Sequence, residues 1–127
     1  GKAHDSFVKM IEAHGGSIKK LYDMNYESPK YIHTILSGSD GYLESFKTRE
    51  IGEHLSCIGS GRLGNADGID NHSGLRVFKK ISDSVIKNEP VLEFYCSSEK
   101  KINNLKRTQD HLFKVSSSKC EKPDLIY

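Results

Sequence analysis

A short run of β-branched and aromatic residues, Tyr31–Leu36, constrains the fold of this chain more than any other stretch. Such residues favour a β-strand over a helix, and the turn-forming residues Ser37 and Gly38 follow at once. Two further runs of this kind lie at residues 75–78 and 91–95. The chain therefore builds at least one β-sheet, and the segments between the strands decide how that sheet is connected.

Helical patterns alternate with these strands. Apolar residues recur at roughly helical spacing over residues 43–58, 81–88 and 98–115, and Pro90 closes the second of these segments. Strands that alternate with helices pair in parallel through right-handed crossovers. We therefore predict an α/β fold, a small three-layer domain in which helices flank a central, mainly parallel sheet.

The N-terminal segment carries one more helical pattern. Phe7, Met10 and Ile11 share one face of a helix predicted over residues 5–14, and two glycines follow it. Such an amphipathic helix docks its apolar face on another surface. We therefore divide the chain into an N-terminal helical extension, residues 1–29, and the α/β domain, residues 30–127.

The charge balance and the cysteines limit the functional classes. The 127 residues suit one domain, and 19 basic against 17 acidic residues give a net charge of +2, too balanced for wholesale coating of nucleic acid. The excess is local, because seven basic and three acidic residues between positions 99 and 122 form a basic C-terminal face. Three cysteines at wide spacings favour a reducing compartment. No run approaches the roughly 20 apolar residues of a membrane span, so we expect no membrane partner.

The motifs that resemble metal or cofactor sites lack the context that such sites need. Residues 59–64 match the letters GxGxxG, but a dinucleotide-binding loop follows a strand and opens a helix, whereas here a predicted helix precedes. The six histidines are scattered, without the HxxxH spacing of a helical metal site. We therefore expect no cofactor and no metal.

A candidate anion site lies where predicted strands end. Ser37 and Gly38 close the first strand, and Lys79 and Lys80 precede the helix predicted over residues 81–88. In α/β sheets, ligands bind at the carboxyl ends of strands beside helix N-termini. A hydroxyl, a backbone N–H and an ammonium would meet there, and these groups suit a phosphate. We predict that these four residues bind phosphate.

This order of elements resembles the BRCT domain, in which a strand ends in Ser-Gly and a lysine stands at the start of a short second helix. The additional first helix is similar to that of helix-extended BRCT variants in fungal chromosomal proteins. The resemblance implies that phosphoserine or phosphothreonine is bound by Ser37, by the backbone of Gly38, and by Lys79 or Lys80.

The function that this resemblance implies is a non-enzymatic, phosphopeptide-binding interaction module. Its partners would be phosphorylated Ser/Thr segments of nuclear proteins, its localisation nuclear, and its context chromatin or genome maintenance, including heterochromatin silencing. We expect Arg49 and Arg76 to contact the peptide residues that flank the phosphate. The basic C-terminal face would make weak contacts with DNA.

Three alternatives stay open beside this reading. Arg49 and His54, five residues apart on a predicted helix after a strand, resemble the arrangement in GIY-YIG nucleases. The basic C-terminal face could instead make the chain another kind of nucleic-acid-binding protein. A structural docking domain would bind a protein through its first helix or an apolar patch.

Overall fold

The fold is an α/β arrangement of two three-stranded antiparallel sheets with helices beside them, in the residues that the computed structural model describes, 1–23, 28–62, 64, 68–109 and 111–123. A π-helical segment, Ser56–Ser60, which we call the π-segment, continues the third helix. The other elements are α1 Lys2–Ala13, α2 Ile18–Tyr22, β1 Tyr31–Leu36, β2 Gly41–Phe46, α3 Thr48–Leu55, β3 Gly74–Val77, β4 Ser84–Val85, β5 Pro90–Cys96, α4 Glu99–Thr108 and β6 Phe113–Ser116.

The first sheet has the strand order β1-β5-β3, so β5 lies in its centre. β5 pairs with β1 from Tyr31 opposite Cys96 to Ile35 opposite Leu92, after which the register shifts. On its other edge β5 pairs with β3. The runs predicted as strands at residues 31–36, 75–78 and 91–95 correspond to these three strands.

The second sheet has the strand order β4-β2-β6. β2 pairs with β6 from Tyr42 opposite Ser116 to Phe46 opposite Phe113. The register shifts between Leu43 and Ser45, which gives β2 one extra residue in the manner of a β-bulge. β4 is short and pairs with the start of β2.

The prediction of a central, mainly parallel sheet is wrong, because all the strand pairs are antiparallel in the described residues. The sequence between β1 and α3 holds a second strand, β2, and not the start of a helix. Residues 81–88 form turns around β4, and residues 113–115, the end of the predicted last helix, belong to β6. The helices α3 and α4 connect strands of different sheets, so neither acts as the crossover that parallel pairing within one sheet requires.

The apolar core draws on both sheets, on α3, on the π-segment and on α4. Helix α4 packs against β1, β5 and the π-segment, and its N-cap Ser98 accepts a hydrogen bond from the backbone N–H of Lys101. Burying this apolar surface is the main stabilising contribution to the fold. The buried apolar residues are Leu43, Ile51, Ile58, Val85, Val91, Leu92, Phe94, Cys96, Ile102, Leu105 and Leu112.

The first two helices lie outside this core. Helix α1 covers most of the helix predicted at residues 5–14, yet it buries no residue, and Phe7 and Met10 are exposed. Its contact with α2 includes a hydrogen bond of 2.6 Å between His4 Nε2 and the Tyr22 hydroxyl. Residues 24–27 of the predicted extension lie outside the described residues. The division of the chain at residues 29 and 30 stays a prediction.

Gly41 and Gly52 give a matched test of the packing. Gly41 begins β2 at a φ of +151°, and a Cβ there would collide with the carbonyl oxygen of Ser116 on β6. Gly52 lies within α3 and has open space around it. We expect Gly41→Ala to lower the free energy of unfolding by about 1–3 kcal/mol, and Gly52→Ala to raise it by about 0.5–1 kcal/mol. Urea unfolding followed by circular dichroism measures both changes, and equal stability of the two variants would contradict the close β2–β6 pairing.

Candidate functional site

Ser37, the first residue of the predicted phosphate site, is buried and fully engaged. Its side chain is 1% exposed, and its hydroxyl donates a hydrogen bond of 2.6 Å to the carbonyl oxygen of Ser39. Its backbone N–H donates to the carbonyl of Glu89, and its own carbonyl accepts from the N–H of Asn88. Ser37 therefore fastens the β1–β2 turn to the segment before β5.

Lys79, another residue of the predicted phosphate site, contacts Glu89, the residue to which the Ser37 N–H donates. Its ammonium lies 2.6 Å from Glu89 Oε1 and donates to the carbonyl of Ser84. The hydrogen bond from Lys79 is the main reason why the pKa of Glu89 lies below its usual range. Gly38 and Lys80 are exposed beside this pair. The role of Ser37, Gly38, Lys79 and Lys80 in binding phosphate stays a prediction.

The two arginines expected to flank the phosphate lie on other elements. Arg49 on α3 forms an exposed ion pair of 3.1 Å with Glu53, one helical turn away. Arg76 on β3 places its guanidinium 4.8 Å from the ring centre of Phe78. Within the described contacts, neither arginine is bonded to Ser37 or Lys79. Their expected contacts with a bound peptide presuppose that the chain binds phosphopeptides.

A second polar cluster forms at the end of the glycine-rich loop, which connects the π-segment to β3 and whose described residues are 61, 62, 64 and 68–73. The carboxylate of Asp70 accepts hydrogen bonds from the Ser97 N–H at 2.7 Å, from the Ser97 hydroxyl at 3.0 Å and from the His72 N–H at 3.0 Å. Burial raises the pKa of Asp70, but the hydrogen bonds from Ser97 and His72 outweigh it and hold that pKa below its usual value. Asp70 thereby ties the loop to the residue just before the N-cap of α4.

Gly59 makes room for this cluster. It lies at the end of the π-segment with a φ of +115°, a conformation that other residues rarely adopt. A Cβ at this position would lie 2.8 Å from Asp70 Cβ and 3.2 Å from Lys101 Nζ. The Asp70 N–H also donates to the Gly59 carbonyl at 2.9 Å. The glycine therefore lets the loop and the Lys101 side chain approach the same point.

A cleft of about 360 Å³ opens beside Gly59, between the π-segment and α4. Its lining includes two cationic side chains, an imidazole, an amide, a hydroxyl and a thiol, but no carboxylate. Cations in a recess with apolar walls create a focused positive potential. The lining residues are His54, Cys57, Ile58, Lys101, Asn104, Leu105, Arg107 and Thr108.

Sequence reasoning missed this cleft. It assigned Lys101 and Arg107 only to the basic C-terminal face. The available signal was their spacing, because Lys101, Asn104 and Thr108 stand at i, i+3 and i+7 and so share one side of α4. That signal is weak, since it does not say what packs opposite the helix.

The described residues contain neither a candidate metal site nor a membrane-spanning helix. In this part of the chain, no group of three or more His, Cys, Asp and Glu side chains could hold a metal ion. Nor does any helix there have the length and apolar character needed to cross a membrane.

Comparisons with known proteins point to a metabolic enzyme family. The family model of the pyrimidine nucleoside phosphorylase C-terminal domain matches residues 42–116, more than half of the chain. The chain is 27% identical to the pyrimidine-nucleoside phosphorylase of Geobacillus stearothermophilus over 128 aligned residues, which cover 100% of this chain and 29% of that protein. It is 32% identical to the AMP phosphorylase of Methanosarcina barkeri over 102 residues, which cover 80% of this chain and 19% of that protein. The chain thus spans less than a third of the length of these curated relatives.

The resemblance to the BRCT domain is wrong. The phosphorylase family model matches most of the segment that carried this resemblance, and antiparallel sheets stand where a parallel sheet was expected. The extra helix α1 therefore gives no link to fungal chromosomal proteins. The GIY-YIG nuclease alternative is wrong as well, since Arg49 and His54 lie within the matched segment.

The functions that depended on the BRCT resemblance are also wrong. The family and both relatives are phosphorylases, which are enzymes, so the prediction of a non-enzymatic phosphopeptide-binding module fails. The predicted partners are wrong for the same reason. These were phosphorylated segments of nuclear proteins and, through the basic C-terminal face, DNA. The nuclear localisation and the chromatin and silencing roles, which rested on the same resemblance, are wrong as well, because the family and these relatives are nucleoside and AMP phosphorylases.

The Asp70 cluster gives a test of the loop attachment. We expect Asp70→Asn to lower the free energy of unfolding at pH 7 by about 1–3 kcal/mol, because a charged acceptor of three hydrogen bonds is lost. Since the pKa of Asp70 is lower in the folded chain than its usual 3.8, this stability is present above that pH and is lost as the pH falls below it. Urea unfolding of wild type and variant between pH 7 and pH 3 measures the difference.

The exposed Asp23 serves as a control, because Asp23→Asn removes the same charge outside the cluster. It should leave stability at pH 7 within about 0.5 kcal/mol of the wild type. A gap between wild type and Asp70→Asn that does not narrow as the pH falls would contradict the carboxylate's role.

Proposed function

Because the chain belongs to the family of pyrimidine nucleoside phosphorylase C-terminal domains, we propose that it forms the C-terminal part of an enzyme that phosphorolyses a nucleoside or a nucleotide. In this reaction inorganic phosphate forms a bond to the anomeric carbon of the sugar while the bond from that carbon to the base breaks. The base leaves with the electron pair and takes up a proton. The products are a free base and a sugar 1-phosphate.

The observation that carries this proposal is the extent of the family match. Residues 42–116 run from the second residue of β2 to the end of β6 and so include all of the second sheet except Gly41, as well as α3, the π-segment and α4. The matched segment also contains the Asp70 cluster and every residue that lines the cleft. The similarity therefore extends over the packed part of the chain and not over a short motif.

The two relatives support a reaction class more than a particular base. One is named for pyrimidine nucleosides and the other for AMP, and the chain is similarly distant from both, at 27% and 32% identity. Phosphorolysis is what their names share. We therefore propose cleavage of a bond between base and sugar by phosphate and leave the base to the assay.

We propose that this chain supports the active site of the enzyme and supplies only a small part of that site itself. The chain spans 29% and 19% of the two relatives, so further residues would supply most of the active site. Its own contribution would be a rigid two-sheet body, whose loops are fixed by contacts such as that of Asp70 with Ser97. Rigid support of this kind lowers the entropic free-energy cost of holding catalytic groups in place.

Phosphate-dependent release of a free base tests the proposal. The full-length protein is incubated with uridine, thymidine or AMP, with and without inorganic phosphate. The released bases are separated by liquid chromatography. We expect at least one substrate to release its base only when phosphate is present, with a sugar phosphate formed in equal amount. A folded sample that releases no base from any of the three would contradict the proposal.

The contribution of this chain is tested by heat inactivation of the same enzyme. Gly41→Ala should lower the temperature of half-inactivation by several degrees, since it destabilises the β2–β6 pair, whereas Gly52→Ala should not lower it. Equal heat inactivation of both variants would indicate that activity does not depend on the folded two-sheet body.

A further inference from the structure

We propose that the cleft between the π-segment and α4 is a binding site for the phosphate group of a small molecule, held by Lys101 and Arg107. The proposal goes beyond phosphorolysis, which does not by itself require a phosphate site in this part of an enzyme. It also does not depend on phosphorolysis, because binding is measured without turnover.

The first argument is the charge of the lining. Among the described residues, neither the Lys101 ammonium nor the Arg107 guanidinium lies within ion-pair distance of a carboxylate. By contrast, Lys79 is paired with Glu89 at 2.6 Å and Lys114 with Glu44 at 2.8 Å. Two unpaired cations that line one cleft attract an anion more strongly than paired ones on an open surface.

The second argument is that the helix backbone that carries Lys101 is held in place before a ligand arrives. The ammonium lies beside the backbone of Gly59, where a larger residue would leave little room for it. Helix α4 is itself held by its Ser98 cap and by the buried Ile102 and Leu105. A group that is already in place loses little conformational entropy on binding.

The third argument is the character and size of the remaining lining. Asn104 and His54 can supply neutral hydrogen-bond donors, while Ile58 and Leu105 form apolar walls that strengthen nearby charges. The volume of about 360 Å³ lies at the lower end of the range for small-molecule sites. It admits free phosphate or a phosphate monoester of nucleotide size, and both present the same anionic group.

Calorimetric titration of the 127-residue chain with three probes tests the proposal. The probes are inorganic phosphate, uridine 5′-monophosphate and uridine, each at low and at moderate ionic strength. We expect at least one phosphate-bearing probe to bind, uridine to show no binding, and the affinity to fall as salt is added. Tighter binding of the monophosphate would identify an ester as the ligand, and tighter binding of phosphate would identify the free ion.

Three substitutions locate the site. Lys101→Met and Arg107→Met should each weaken the binding of phosphate about tenfold, because each removes one charge-assisted contact. Lys100→Met is the matched control, since it removes the same charge from the neighbouring, exposed position of α4 outside the cleft, and it should change the affinity less than about twofold. Circular dichroism confirms that each variant is folded. Arg107 is exposed, so its variant tests the site even where Lys101→Met disturbs packing.

Three results would overturn the proposal. These are the absence of binding by either phosphate-bearing probe, equally tight binding of uridine, and equal weakening by Lys100→Met and Lys101→Met. The last result would assign the effect to the overall charge of α4 and not to the cleft. Because no outcome is read from enzyme turnover, a failure here leaves the proposal of phosphorolysis standing, and the reverse also holds.

Discussion

The structure depends on the pairing of β5 with a strand on each of its edges. Leu92, Phe94 and Cys96 have no exposed surface, so one face of this strand is fully covered, while Glu93 and Tyr95 on the other face are half-buried. The strand leads directly into the residue that binds the Asp70 carboxylate and then into the N-cap of α4. The central strand of the first sheet therefore sets both the position of the glycine-rich loop and the start of the helix that lines the cleft.

Backbone contacts beyond the strand pairs hold the turns of each sheet, while the apolar core joins the second sheet to the first. The N–H of Leu43 donates to the carbonyl of Asp83, and the N–H of Ser82 donates to the carbonyl of Leu43. Ser37 makes a similar connection between the β1–β2 turn and the segment before β5. These contacts hold the turns in place, and the shared apolar core makes the two sheets a single support for the helices.

The sequence alone predicted the strands of the first sheet but not the second sheet. β-branched and aromatic runs predict β1, β3 and β5 directly. Leu43 and Phe46 of β2 are three residues apart, a spacing typical of a helix, and the extra residue at the bulge lets both of them pack on the core. Together with the helix predicted over residues 81–88, where turns and β4 lie, this misreading turned an antiparallel arrangement into a predicted βαβ pattern. The cleft escaped prediction for a different reason, because whether Lys101 has an acidic partner depends on tertiary packing and not on neighbours in the chain.

The cysteines differ in their surroundings in a way that bears on how the cleft can be observed. Cys96 is buried in the core, and the thiol of Cys120 donates to the carbonyl of Leu43, whereas Cys57 is exposed and lines the cleft. Thiol-directed reagents react most readily with an accessible cysteine. The native chain thus carries its own attachment point for a fluorescent or spin label at the mouth of the cleft, and occupancy can be followed there without engineering a new residue.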